Sequence, residues 1–524
     1  MKWRRWTVVT SWILAAIVPL ATAAAQQQDL PAVFSDAIDV RVVNIEVVVT
    51  DRNGNRVHGL KAADFELLVD GEPTPIDYFT EIEDGLAKET SNDVAAVPNL
   101  NANAHIPTNY LIYIDDLFSI ERDRNLVLQN LEEDLGQLHP ADRVAAVAFD
   151  GAQMETLTTW TNSPERLAEA LERASSRDAH GLRRKSEAVM ANNDRALKAA
   201  LDAMGREFSL PGIGRRYAYT LEDQLHRSVL AAVATIRRFA NQPGRKVMLL
   251  LAGGWTDSVA RSAPGGDPSN GSPPDPRLAM TADELYGPLV SAANLTGFTI
   301  YPVDVPGRGG PKVRTLYRLA RATGGVAMPS FRRKEALVRA AEDTRSYYWL
   351  GFQPSRREDD AFHDLKVNLV GRPDLRVRTR EGYVDMSRDR EIALTVEAAL
   401  LFGDPSDARP LDVRFSEPVR ARRGKVSVPI EVAIPLDQVA LLPVAGLWQN
   451  ELEVRVLVMD LKGSRADMST EKIPISGPEE PQPGQFFYYQ TDLELRRREH
   501  TYVIAVYDPL TGTTMTSTGE IGPE

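Results

Sequence analysis

The chain has 524 residues, enough for two to four domains at ~100–200 residues each. Hydrophobic residues make up 43 % and charged residues 26 %, the mix of a soluble globular protein with apolar material for more than one core. A net charge of −12 argues against nucleic acid and anionic membrane surfaces as partners, and the lack of cysteine excludes disulfides, thiolate metal sites and cysteine nucleophiles.

Residues 1–25 read as a signal peptide: Lys2, Arg4 and Arg5 form a basic start, an apolar run extends from Val8 to Leu20, and Ala21-Thr-Ala-Ala-Ala25 supplies small residues for cleavage. The run is short for a membrane span, which needs ~20 residues, and no later stretch is longer and as apolar. The chain is therefore expected to be exported, to the periplasm or the medium, with no membrane span after cleavage.

Residues 36–86 pattern as strands of a β-sandwich. Val40 to Thr50 is β-branched and partly alternating, Asn53-Gly54 is a hairpin signal, and Phe65 to Val69 is a second strand turned by Asp70-Gly71. Residues 87–107, rich in Asn, Ala and Pro, read as a linker.

Strands and helices then alternate over residues 108–346. Tyr110–Ile114, Val144–Phe149, Val247–Ala252 and Phe298–Val303 are apolar runs suited to buried parallel strands. Leu128, Leu131 and Leu135 fall at helical spacing, and Ser163-Pro164 is a helix start. Residues 175–215 read as a polar, irregular insertion with some helix, and Arg261–Arg277 as a loop rich in Gly, Pro and Ser. This succession predicts an open α/β sheet with helices on both faces.

Strand patterns return over residues 347–388, at Tyr347–Phe352, Leu365–Val370 and Leu375–Thr379. They are expected to pair with the N-terminal strands, so that the α/β domain is inserted in one β-sandwich. Residues 389–524 are β-rich from Glu391 onward and predict an immunoglobulin-like β-sandwich domain.

Several motifs in shared order resemble the VWFA-related family found in Acidobacteria, whose α/β part is a von Willebrand factor A domain. The carriers are Val47–Asp51, Gly59–Phe65, Ile112–Asp116 through Ser119, Gly244–Leu251, Leu319–Gly325, Tyr347–Phe352 and Arg380–Tyr383. The resemblance implies an α/β fold with a divalent cation, Mg²⁺, at the C-terminal edge of the sheet, where hard oxygen ligands and a partner's carboxylate meet. It places Asp115 and Ser119 as metal ligands. The pattern is incomplete, because Leu117 stands where a Ser belongs and Gly253 where an Asp belongs. Asp116 and Asp257 are the acids near enough to compensate, and Asp115 with Ser119 would otherwise cap the strand end and the next helix.

The loops at the strand C-termini form the ligand crevice of such a sheet. These are Asp115–Ser119, Phe149–Thr161, Gly253–Arg277 and Asp304–Arg308, and Asp115, Asp116, Ser119, Trp255 and Asp257 are the candidate ligand-binding residues. The seven histidines, at 58, 105, 139, 180, 226, 363 and 500, form no zinc-hydrolase pair, and no Gly-x-Ser-x-Gly elbow is present. The expected function is an exported protein-interaction module, not an enzyme, whose partner is a protein or a cell-envelope ligand. Two alternatives remain: a metal-dependent hydrolase using the Asp115 loop, and a structural scaffold without specific ligand.

Overall fold

The computed structural model describes residues 42–88, 95, 105–204, 213–240, 242–253, 255–256, 281–307, 313–354, 358–403, 409–421, 425–444, 446–460 and 468–522. The segment read as a signal peptide, Asp257 and the whole of 261–277 lie outside them. The protein is mixed α/β with five sheets among the described residues. It divides into two compact units, one spanning Arg41–Arg388 and the other containing Asp389–Glu524.

In the first unit, β1 (Val43–Thr50), β2 (Phe65–Val69), β3 (Glu72–Thr74), β4 (Tyr78–Glu83) and β5 (Leu86–Ala87) come first. Next are β6 (Thr108–Asp115), α1 (Glu121–Asp134), β7 (Arg143–Phe149), β8 (Met154–Thr161), α2 (Pro164–Ser176), α3 (Gly181–Ala203) and α4 (Ile213–Arg238). Then follow β9 (Arg245–Ala252), α5 (Ala282–Thr296), β10 (Phe298–Asp304), α6 (Arg314–Ala322) and α7 (Ala336–Thr344). The unit closes with β11 (Tyr347–Phe352), β12 (Phe362–Leu369), β13 (Arg376–Arg378) and β14 (Gly382–Val384).

The α/β sheet has the order β10-β9-β6-β7-β8, parallel except for the edge strand β8. Every residue of β6 is buried, because helices cover both faces of the sheet. Ile112, Ile114, Leu249 and Leu251 pack with Leu128, Leu171 and Leu337 of α1, α2 and α7. On the opposite face Tyr113 donates its hydroxyl to the Ser228 carbonyl of α4 at 3.1 Å. Burial on two faces is why these strands read as unbroken apolar runs. The helix punctuation is local: the Ser163 hydroxyl accepts the Arg166 N–H with Pro164 in the first turn, and α5 stops at Gly297 with φ 75°.

Two further sheets, β13-β1-β11-β4-β5 and β14-β12-β2-β3, form a sandwich in the same unit. Strand β1 pairs antiparallel with β11 from Val43↔Phe352, and β2 with β12 through Leu67↔Val367. Ile45, Val47, Leu67, Leu350 and Val367 share its core. Tyr348 sits at the centre, 5.2 Å from the Phe65 ring and 5.8 Å from that of Phe79. Its hydroxyl donates to the Val57 carbonyl and accepts the Leu60 N–H. Neither the 43–87 strands nor the 347–384 strands complete this core alone.

The second unit contains α8 (Arg388–Phe402), then β15 (Arg409–Pro410), β16 (Asp412–Phe415), β17 (Val419–Arg420), β18 (Lys425–Pro435) and β19 (Leu442–Val444). It ends with β20 (Leu447–Asp460), β21 (Ser469–Gly477), β22 (Phe486–Arg496), β23 (His500–Asp508) and β24 (Thr513–Ile521). Sheet β15-β24-β23-β20-β19, with β21 beside β20, stacks on a sheet in which β16, β17 and β22 pair β18. Tyr502, Ile504 and Val506 of β23 face that inner core, while Val503, Ala505 and Tyr507 face Ile392, Val396 and Leu400 of α8.

Three sequence expectations are corrected. Residues 388–402 form a helix, not the first strands of the β region; Ile392, Leu394 and Val396 alternate like a strand, yet Ile392, Val396 and Leu400 share one helical face. In the polar insertion, where some helix is expected, residues 181–203 form α3. Within the supposed linker 87–107, Ala87 lies in β5, Ala95 bridges Tyr78 and His105 bridges Leu86. Met154–Thr161 of the supposed crest loop is strand β8. Among the described residues no helix is long and apolar enough to cross a membrane.

Candidate functional site

Numbered by their own order in the chain, the α/β strands lie 5-4-1-2-3, so the sheet order reverses between β6 and β9. In open α/β sheets the crevice outside the strand C-termini at such a reversal is where ligands bind. Asp115 is the last residue of β6, and Trp255 follows β9 across the same point.

The turn after β6 is closed from all sides. The Ser119 N–H donates to the Asp115 carbonyl at 3.1 Å and the Asp116 N–H to the Phe149 carbonyl at 2.8 Å. The start of α3 docks on the turn, with the His180 N–H on the Asp116 carbonyl at 2.8 Å and the Gly181 N–H on the Ser119 carbonyl at 2.9 Å. A Cβ at Gly181 would lie 2.5 Å from that carbonyl oxygen, so glycine is required for the approach. Leu117, standing where a hydroxyl ligand was expected, is buried against Gly151.

Asp115 has its carboxylate filled by the protein. Oδ2 accepts the Trp255 indole N–H at 2.6 Å and Oδ1 accepts the Phe118 N–H at 3.2 Å. Trp255 stacks on Tyr286, with ring centroids 5.6 Å apart, and the Tyr286 hydroxyl donates to the Thr256 carbonyl at 2.7 Å. Burial pushes the Asp115 carboxyl up to about 7 against the pull of these hydrogen bonds.

Asp116 points the other way, into a buried ion cluster. Oδ1 accepts from Arg124 at 2.5 Å and Oδ2 from Arg177 at 2.8 Å. Arg124, itself fully buried, also donates to the Ser175 and Arg177 carbonyls at 3.1 and 2.7 Å. Arg124 and Arg177 escaped the sequence reading; an arginine in the first turn of the amphipathic helix α1 was the one available signal.

The candidate residues thus come together, but not as a surface. Asp115, Asp116 and Ser119 are 0 % exposed and Trp255 is 1 % exposed, so none is presented to a partner. Trp160, half-buried, meets Phe239 edge-on at 5.4 Å. The expected Mg²⁺ does not fit this donor set. A hard cation takes about six oxygens, whereas both Asp115 oxygens and both Asp116 oxygens already accept hydrogen bonds. Only Ser119 Oγ is buried without a hydrogen-bond partner, one hydroxyl where a ligand shell is needed.

A second titratable cluster lies in the sandwich, where ligand atoms of Asp359, His363 and Asp385 fall within 4.8 Å of one another. There His363 Nδ1 meets Asp70 at 2.7 Å and Nε2 meets Asp359 at 3.3 Å. Burial lowers the tendency of the ring to charge, but these two carboxylates outweigh it and raise its pKa. Both ring nitrogens of His363 are therefore taken up by carboxylates of the protein.

No known family and no curated protein matches the chain. Among solved structures, it is similar to the pilus adhesin SpaC from Lactobacillus rhamnosus GG at 9 % identity, over 87 % of this chain and 60 % of that one, with a TM-score of 0.27. The human COPII-coat protein Sec24c matches at 12 % identity over 57 % of this chain and 49 % of its own, with a TM-score of 0.24. A Bacteroides uniformis β-glucuronidase matches at 10 % identity over 34 % of this chain, which spans only 19 % of that enzyme, with a TM-score of 0.15. At these scores none of the three bears on fold or function.

Proposed function

We propose that this chain is an exported binding module whose α/β part is of the von Willebrand factor A type and works without a cation. The observation that carries this reading is the Trp255 indole N–H on the Asp115 carboxylate, at the point where the sheet order reverses. The indole N–H occupies a carboxylate oxygen that a metal would otherwise take, and it links the β6 and β9 loops into one floor. The ligand, a protein or cell-envelope component, is then held by the loops at the strand C-termini, among them Asp304–Gly307. Metal-dependent hydrolysis is the weaker reading, because the Asp115 and Asp116 oxygens that would hold the ion already accept hydrogen bonds from the protein. Export rests on the basic start, apolar run and small residues of positions 1–25.

Thermal melting with Mg²⁺ or Mn²⁺ tests the reading, because a bound ion raises the melting temperature by mass action. No shift is expected at millimolar metal; a shift that Asp115→Ala abolishes overturns it. Replacing residues 261–277 by a short Gly-Ser linker is expected to abolish binding to an immobilised cell-envelope preparation. Turnover of a generic ester, phosphate or peptide substrate that Asp115→Ala abolishes would establish the hydrolase instead.

A further inference from the structure

A cavity of about 890 Å³ opens in the first unit where β1 and β13 face α7 and the segment Ser330–Glu335. Five arginines line it, with two acids, Glu342 and Asp343. That local excess of positive charge stands against a net charge of −12 for the chain. Two of the arginines are spent: Arg56 and Arg378 both bind Asp343, at 2.6 Å on Oδ1. Two are open and a third is half-engaged. Arg332 and Arg376 are exposed and have no side-chain partner among the described residues. Arg339 holds Glu335 at 2.5 Å through one nitrogen, while its Nε is buried with no hydrogen-bond partner. Beneath them, Val48, Val326, Met328 and Val377 supply apolar wall.

We infer that this groove binds an acidic peptide segment of a partner protein. Guanidinium forks match carboxylates two bonds at a time, and arginine clusters are a recurring means of reading acidic motifs. The two open forks, Arg332 and Arg376, and the half-engaged Arg339 come from three elements, so they match carboxylates spaced along a chain rather than one small anion. The apolar wall adds contacts for intervening side chains, which a phosphate or sulfate group does not have. A cleft of one sign raises the local concentration of the opposite charge even on a protein of contrary net charge. None of the lining residues belongs to the β6–α1 turn or the Trp255 floor, so this site goes beyond the crest-loop reading and stands or falls separately from it.

The test is fluorescence anisotropy with the full chain and a labelled peptide alternating Glu with Leu and Val, against the same peptide with Gln for Glu. The Glu peptide is expected to bind at least tenfold more tightly, with affinity falling as salt is raised. The double variant Arg332→Glu/Arg376→Glu is expected to lose that preference with an unchanged melting temperature, since both side chains are exposed. Equal binding of the two peptides, or full binding by the double variant, overturns the inference. Inorganic phosphate or a sulfated polysaccharide competing better than the Glu peptide overturns the choice of ligand.

Discussion

At the scale of single residues, the telling contact is between Trp255 and Asp115. A buried carboxylate needs donors, and this one has an indole and a backbone N–H. Trp255→Phe keeps a ring over Tyr286 and removes the donor. It should destabilise the first unit by about 1–3 kcal/mol, read by urea denaturation at pH 8. Asp115 also makes stability depend on pH. Its carboxyl titrates near 7 in the folded chain against an ordinary 3.8, so the native state holds the proton more tightly. That contribution is present in full below about pH 4 and is lost as pH rises through about 7. The wild type should therefore lose stability relative to Asp115→Asn between pH 5 and pH 8. Parallel stability curves for the two proteins would show that burial does not raise this carboxyl. Asp115 and Ser119 were legible as candidates through the family resemblance and because their turn follows a buried parallel strand. Arg124 and Arg177 were not, because Asp116 reaches them only after the sheet and α2 have packed.

At the scale of elements, local chemistry was read well where it acts within a few residues. Ser163-Pro164 starts a helix, and apolar runs became buried strands. Helix α8 shows the limit: alternation and helical spacing coexist in Ile392, Leu394, Val396 and Leu400, and packing on β20 and β23 decides between them. Gly181 is a second case, a glycine whose reason lies in another element. Gly181→Ala places a methyl 2.5 Å from the Ser119 carbonyl oxygen and should cost about 1–3 kcal/mol by displacing α3 from the turn. Gly136→Ala, with nothing within 4 Å of the added carbon, is the control and should be neutral or slightly stabilising. Equal chevron or melting behaviour of the two variants would mean that the α3 start gives way easily.

At the scale of the whole molecule, the first unit is held together by ions as well as cores. The Asp343 carboxylate of α7 takes Arg56 and Arg378 from the sandwich and the Tyr301 hydroxyl from β10. Arg245 of β9 reaches Glu46 of β1 at 2.6 Å and lies 4.1 Å over the Tyr347 ring. Burial pushes the Asp343 carboxyl up, but the two arginines outweigh it and hold it at about 2. The sign is opposite to that of Asp115: this contribution is present above about pH 4 and is lost as pH falls through about 2. Asp343→Asn should destabilise the protein by roughly 3 kcal/mol at pH 7, because two guanidiniums lose their counter-charge. The difference from wild type should shrink toward pH 2 in acid denaturation followed by circular dichroism. A constant difference across that range would assign the effect to packing.

The amino-acid sequence by itself determined the kinds of elements, most of their ends, the alternating α/β middle and the acidic, cysteine-free character of the chain. Periodicity, capping and turn chemistry act over a few residues, so they are visible without partners. Tertiary structure alone decided the register in which β1 meets β11, with Val43 opposite Phe352, that an indole fills the Asp115 carboxylate, and that arginines from three elements line one groove. Those outcomes depend on which surfaces meet when the sheets close, and no local pattern in the chain encodes a contact between distant segments.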